Sequence, residues 1–144
     1  MKGVVHSYGQ AWVKKDSKLI GSLFTTDATY HEQVLSDPIR GRRNIQSYWQ
    51  NRVGRGQKNI EFKILNLYID GMNVIAEWQA KFDVVRTNTR ILMKQVAILE
   101  FSGRKIASLR EYWSSRPIGK AGIPRSKSRI KSDYHKSYKK RRRL

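Results

Sequence analysis

Apolar positions recur at two different periods along this chain, and the change of period divides it. Val5, Tyr8 and Trp12, with Ala11 beside them, share one face of a first helix. Asp16-Ser17 predicts a helix break and N-cap, after which Leu19, Ile20, Leu23 and Phe24 form the apolar face of a second short helix. From Asp27 to Trp49 the pattern reads as a short strand, a turn-rich crossing and a third helix. In that strand Ala28, Tyr30 and Glu32 alternate on one face, against Asp27, Thr29 and His31 on the other. Ser36-Asp37-Pro38 is turn chemistry. After Gly41, the residues Ile45, Tyr48, Trp49 and Val53 return three or four apart, and Gly54-Arg55-Gly56 ends the helix.

Beyond Gly56 the period is two. Ile60, Phe62 and Ile64 alternate, then Leu65, Leu67 and Ile69 do so in the opposite phase, which predicts a bulge or bend near Asn66. Asp70-Gly71 signals a hairpin. Val74, Ala76, Trp78, Ala80, Phe82 and Val84 then face one way, with Glu77, Gln79, Lys81 and Asp83 on a half-buried strand's other side. After Thr87-Asn88, the strand Ile91–Phe101 is apolar on both faces, with Met93, Ala97 and Leu99 on one and Leu92, Val96 and Ile98 on the other. Its outer face needs a cover, and a homodimer partner is the cover expected. Ser102-Gly103 leads into a last strand, Lys105–Ser115, where Leu109, Glu111 and Trp113 share a face. Three helices and a four-stranded meander predict an α+β fold with helices on one side of a curved antiparallel sheet.

Charge divides the chain a second way. Of the net +19, residues 116–144 carry +11 and residues 1–115 carry +8. The sequence therefore predicts a folded body over 1–115 and an appended basic tail over 116–144, too poor in apolar residues for a core. Lys136, Lys139, Lys140, Arg141, Arg142 and Arg143 are its candidate polyanion-binding residues, with Tyr134 and Tyr138 able to stack on unpaired bases. Arg40, Arg42, Arg43, Arg52, Arg55 and Lys58 add basic density around the third helix. With no cysteine there is no disulfide framework, thiolate nucleophile or cysteine zinc site. His6, His31 and His135 are scattered, so no metal is expected, and Gly54-Arg55-Gly56 lacks the continuation of a phosphate loop. No cofactor is implied. The N-terminus has no signal-peptide core and no apolar run has the length of a membrane span, so a cytoplasmic protein is expected.

The segments DATYHE, PIRGRRNIQSYW and GRKIASLREYWSS resemble the SnoaL-like branch of the nuclear transport factor two-like superfamily, over roughly Val4 to Ser115. The resemblance implies a cone-shaped curved antiparallel sheet with three N-terminal helices packed on its concave side, a cystatin-like roll enclosing a pocket. Within that superfamily the spacing is similar to that of bacterial ketosteroid isomerases. The resemblance then implies Glu32 as the proton-shuttling carboxylate and Tyr8 as donor to an enolate oxygen, with Trp49 in a pocket tyrosine's place. It aligns Ala97 with a second, protonated-aspartate donor, a role alanine cannot fill, and Ser114 with a catalytic aspartate of other SnoaL-like enzymes.

The chemistry also follows from the residues. Moving a proton next to a carbonyl needs a base near the carbon and a donor near the oxygen. Glu32 and Tyr8 suit those roles. Trp12, Tyr30, Trp49, Trp78, Met93, Ala97, Glu111 and Trp113 are the expected lining of a pocket for a small hydrophobic ligand. Glu111 is either a second inward carboxylate or half of a cross-strand ion pair beside Arg110. Two carboxylates in one apolar pocket separate acid from base roles, or together activate a water. Two functions stay open: an isomerase or hydrolase/dehydratase acting on a hydrophobic carbonyl compound, and a non-catalytic nucleic-acid-associated protein whose cone is a dimerisation scaffold.

Overall fold

The computed structural model describes residues 1–122. Helix α1 spans Lys2–Lys14 and α2 spans Ser17–Ser22. The break between them is local chemistry: Lys15 takes a left-handed conformation at φ +55°, and the Asp16 carboxylate caps α2 by accepting from the Leu19 amide at 3.0 Å. Strand β1 (Phe24–His31) follows, then the short β2 (Ile39–Arg40) and helix α3 (Arg42–Trp49), which continues as a π-helical turn over Gln50–Gly54. Strands β3 (Gln57–Asp70), β4 (Asn73–Val84), β5 (Thr89–Ser102) and β6 (Lys105–Lys120) complete the fold.

These strands make one six-stranded sheet in the order β2-β1-β6-β5-β4-β3. The meander from β3 to β6 is antiparallel, and the expected phase slip is a register shift between Ile64 and Asn66. β1 joins β6 in parallel, with Tyr30 beside Leu109, so the sheet is mixed at that edge. The crossing after His31 returns as β2, pairing Tyr30 with Ile39. Two residues behind a proline were too short to carry a strand pattern. The last strand runs five residues beyond Ser115, since Arg116 and Pro117 pair with Leu92 and Ile91. Proline is tolerated there because the register shifts at Ile91.

One face of the sheet carries the core. Val74, Ala76, Trp78, Ala80 and Phe82 of β4 are buried beneath Val5, Tyr8, Ala11 and Trp12 of α1. α2 packs between α1 and α3, and α3 lies on β1. The opposite face of β4 was expected to be half-buried, yet Asp83 is only 3 % exposed. It accepts from Asn59 Nδ2 (2.7 Å), the Arg90 guanidinium (2.9 Å) and the Gly122 amide (3.1 Å). Burial pushes its carboxyl up, but these donors outweigh burial and hold it below the usual range. Among the described residues no helix is long and apolar enough to cross a membrane.

The seat of α1 on β3 depends on a missing side chain. A Cβ at Gly9 would lie 2.3 Å from the Phe62 ring, which also packs on Trp12 and Trp78. At Gly3 a Cβ would meet nothing within 4 Å. Gly9→Ala should therefore destabilise the protein by about 1–3 kcal/mol through overpacking. Gly3→Ala should be neutral or mildly stabilising. Urea unfolding of the two variants checks this, and equal effects would show that Phe62 does not rest on the helix backbone.

Candidate functional site

Between the helices and the inner sheet face lies a cavity of about 450 Å³. Its walls are mainly apolar: Trp12, Trp49, Val53, Phe82, Ile91 and Met93 all contribute. The π-helical turn shapes one side. Asn51, Arg52 and Val53 are consecutive and all line the cavity together with Tyr48 and Trp49, a run that the 3.6-residue repeat of a regular helix cannot aim at one space.

Glu111 forms the polar floor and is only 3 % exposed. Alternation along β6 turns it inward with Leu109, while Arg110 points outward and pairs with Glu100 at 3.5 Å. The cross-strand alternative for Glu111 is thus taken by its neighbour. Three donors hold the carboxylate. The hydroxyls of Tyr8 and Tyr30 reach Oε1 at 2.9 and 3.1 Å, and Gln95 Nε2 reaches Oε2 at 3.2 Å. Gln95 is fixed in turn because its Oε1 accepts from Trp78 Nε1. Burial nevertheless dominates and raises the Glu111 carboxyl from 4.5 to about 7, with the charge of Glu32 adding to the rise. Burial and the charge of Glu111 together push the Tyr8 and Tyr30 hydroxyls well above their ordinary value.

Glu32 follows the last residue of β1 and lines both this cavity and a smaller one of about 210 Å³ on the far side of Tyr30, Tyr48 and Arg52. Tyr48 shares both linings with it; burial, then the charge of Glu32, raises that phenol. Its backbone carbonyl accepts from Trp113 Nε1 at 2.9 Å, which ties the loop to β6.

Of the expected site residues, Glu32, Trp12, Tyr30, Trp49, Met93, Glu111 and Trp113 line the cavity. Tyr8, Trp78 and Ala97 do not. All three are fully buried behind the floor, where Tyr8 stacks on Trp78 at 5.2 Å. The Tyr8 hydroxyl, expected at a substrate oxygen, is instead committed to Glu111, and Glu32 lies on a wall shared with Tyr48. Ala97 sits directly across the ladder from Glu111, so a carboxyl on the neighbouring strand occupies the region where alanine offers no donor. Gln95 and Arg52 were not singled out for the pocket. The signal for Gln95 was a lone amide at an inward position of an otherwise apolar strand. Among the described residues no group of three or more His, Asp or Glu is placed to hold a metal. Lys136, Lys139, Lys140, Arg141, Arg142 and Arg143 lie outside the described residues.

The family model for the SnoaL-like domain matches residues 5–109. No curated protein matches the chain at a significant level. Three solved structures are similar in fold. One is a hypothetical protein with a ketosteroid isomerase-like fold from Catenulispora acidiphila, in complex with trimethylamine. It has a TM-score of 0.70 and 22 % identity, covering 77 % of this chain and 85 % of that one. Another is an LEH-like epoxide hydrolase of M. tuberculosis, with a TM-score of 0.66 and 22 % identity over 77 % and 80 % of the two chains. The third is SalBIII, an epoxide hydrolase/cyclase-like enzyme of pyran ring formation in the polyether salinomycin. Its TM-score is 0.69 and its identity 24 %, over 78 % and 89 %.

The floor makes a prediction about stability. A carboxyl that ionises near 7 when folded but near 4.5 when unfolded stabilises the fold fully below pH 4.5, and that contribution is lost as pH rises towards 7. The loss is on the order of 3 kcal/mol. Glu111→Gln lacks this ramp. The unfolding free energy of the native chain minus that of the variant should thus fall by this amount between pH 4 and pH 8. A constant difference would show that the carboxyl is not desolvated.

Proposed function

The chain belongs to the SnoaL-like domain family, and from that premise we propose that it is an enzyme of proton transfer on a small hydrophobic carbonyl compound. The observation that carries the reading is Glu111, a carboxyl held near neutral pKa against the floor of an apolar cavity. A second carboxylate, Glu32, lines the same cavity nearer solvent. Two such groups in unlike surroundings divide the labour. Glu32 takes a proton from the carbon beside the carbonyl, and Glu111 donates its proton to the oxygen as the enol forms. Glu32 then returns the abstracted proton to a different carbon while the enol O–H proton passes back to Glu111, which gives an isomer and restores both groups. The same pair serves a hydrolase or dehydratase when Glu32 deprotonates water or the leaving group departs with the proton of Glu111. Tyr8, Tyr30 and Gln95 are positioning residues that fix the acid.

The test is a panel of enolisable ketones, β-hydroxy ketones and epoxides, followed by product chromatography. Glu111→Gln and Glu32→Gln should each lower kcat/KM by roughly 10²–10⁴, the usual share of general acid or base catalysis. Activity should decline as pH rises through about 7, where Glu111 loses its proton. A profile that rises through that range would make Glu111 the base instead. Indifference to both substitutions would remove the enzymatic reading.

Charge favours a second reading beside the first. The +11 of residues 116–144 supports polyanion binding by Lys136 and Lys139 to Arg143, with no base specificity. The outer sheet face exposes Tyr68, Ile75, Val96 and Tyr112, which supports a homodimer through that face. Sedimentation of the full chain reads both. Alone at micromolar concentration it should run as a dimer, and a monomer removes that proposal. With a generic oligonucleotide duplex, six phosphate contacts predict about a thousandfold loss of affinity between 50 and 200 mM salt. Replacing Lys139–Arg143 by glutamine should abolish binding, and retained affinity would overturn the assignment.

A further inference from the structure

The cavity wall carries two cations that neither the core nor the proton chemistry uses. Arg52 projects from the π-helical turn and Arg86 from the turn between β4 and β5, and both line the cavity while remaining exposed. Three other arginines of the body are committed elsewhere. Arg42 donates to the Phe24 carbonyl, Arg90 bridges Asp83 and Glu61, and Arg110 pairs with Glu100. Among the described residues neither Arg52 nor Arg86 is in an ion pair. One turn before Arg52 stands Trp49, 4 % exposed, whose Nε1–H lines up with no acceptor even though the ring borders the cavity. A buried donor without an acceptor is costly. The lining carboxylates are Glu32 and Glu111. Glu111 lies deep at the floor, so at the rim the two guanidinium groups face the single carboxylate of Glu32 and the mouth is net cationic.

Resting on the reading of this cavity as a substrate pocket, we infer that the substrate is an amphiphile with a single oxyanion group, whose charge is held at the mouth by Arg52 and Arg86 while its apolar body lies against Trp12, Phe82 and Met93. Guanidinium groups bind oxyanions through paired N–H donors, and an apolar cavity with a few placed polar groups fixes orientation. Anchoring the charge at the rim sets which carbon of the body reaches Glu32 and Glu111. The net charge of +19 draws anions towards the protein before any contact forms.

A matched probe pair separates this inference from the reading beneath it. Anilinonaphthalene sulfonate and neutral N-phenyl-1-naphthylamine share an apolar body, and both fluoresce by transfer from Trp12, Trp49 and Trp113 around the cavity. The full chain should bind the anionic probe at least tenfold more tightly than does the double substitution Arg52→Gln with Arg86→Gln. Affinity for the neutral probe should change less than twofold. Arg43→Gln with Arg104→Gln removes equal charge from exposed positions outside the cavity lining and should leave both affinities unchanged. If the neutral probe binds but the rim substitutions spare the anionic one, or the control pair weakens it equally, the rim carries no specificity and the inference falls alone. If neither probe binds, the pocket reading falls with it.

Discussion

A carboxylate removed from water must be compensated, and that constraint organises this molecule. Glu111 lies on β6, yet its compensation comes from α1 (Tyr8), β1 (Tyr30) and β5 (Gln95), the last braced by Trp78 of β4. Five elements thus converge on two oxygen atoms. Removing one donor leaves a buried acceptor short and also loosens the seam where the opening helix meets the sheet. The compensation is incomplete by design of the surroundings: three hydrogen bonds favour the ionised form, and desolvation still wins. A group balanced in this way changes state within the physiological pH range.

The hollow beside that acid exists because bulky rings prop its walls. Trp12 and Trp49 meet edge to face at 5.6 Å, and Tyr8 contacts Trp49 at 5.3 Å. Edge-to-face rings hold their spacing without filling the space between elements. The widened turn after α3 then supplies polar rim residues where a regular helix would have placed a single stripe. Fold and chemistry are therefore set by the same few aromatic contacts.

Periodicity made most of the architecture readable. The faces of α1 and α3, the capping aspartate, the slip near Asn66 and the inward run of β4 all follow from spacing alone. What stayed hidden depended on partners distant in sequence. Asp83 reads as an outward charge until Asn59, Arg90 and Gly122 close over it. Tyr8 suits a donor role at a ligand until Glu111, more than a hundred residues later, takes its hydroxyl. The continuation of β6 past Ser115 was masked because a backbone ladder is indifferent to the cationic composition that suggested a boundary. The choice between an inward Glu111 and an ion-paired one needed the register of β6 against β5, which no local pattern encodes.

The parallel seam between β1 and β6 carries a kinetic consequence. Tyr30 pairs beside Leu109, so this contact closes a far longer loop than any hairpin of the meander. Loop-closure entropy disfavours such a contact until the nearer ones exist. The meander can zip from its turns, whereas β1 must wait for a finished β6 on which to dock. Only then does Tyr30 reach the acid and shut off its water. Closing the cavity thus rests on a contact of high sequence separation, whose loop-closure entropy exceeds that of any hairpin in the meander.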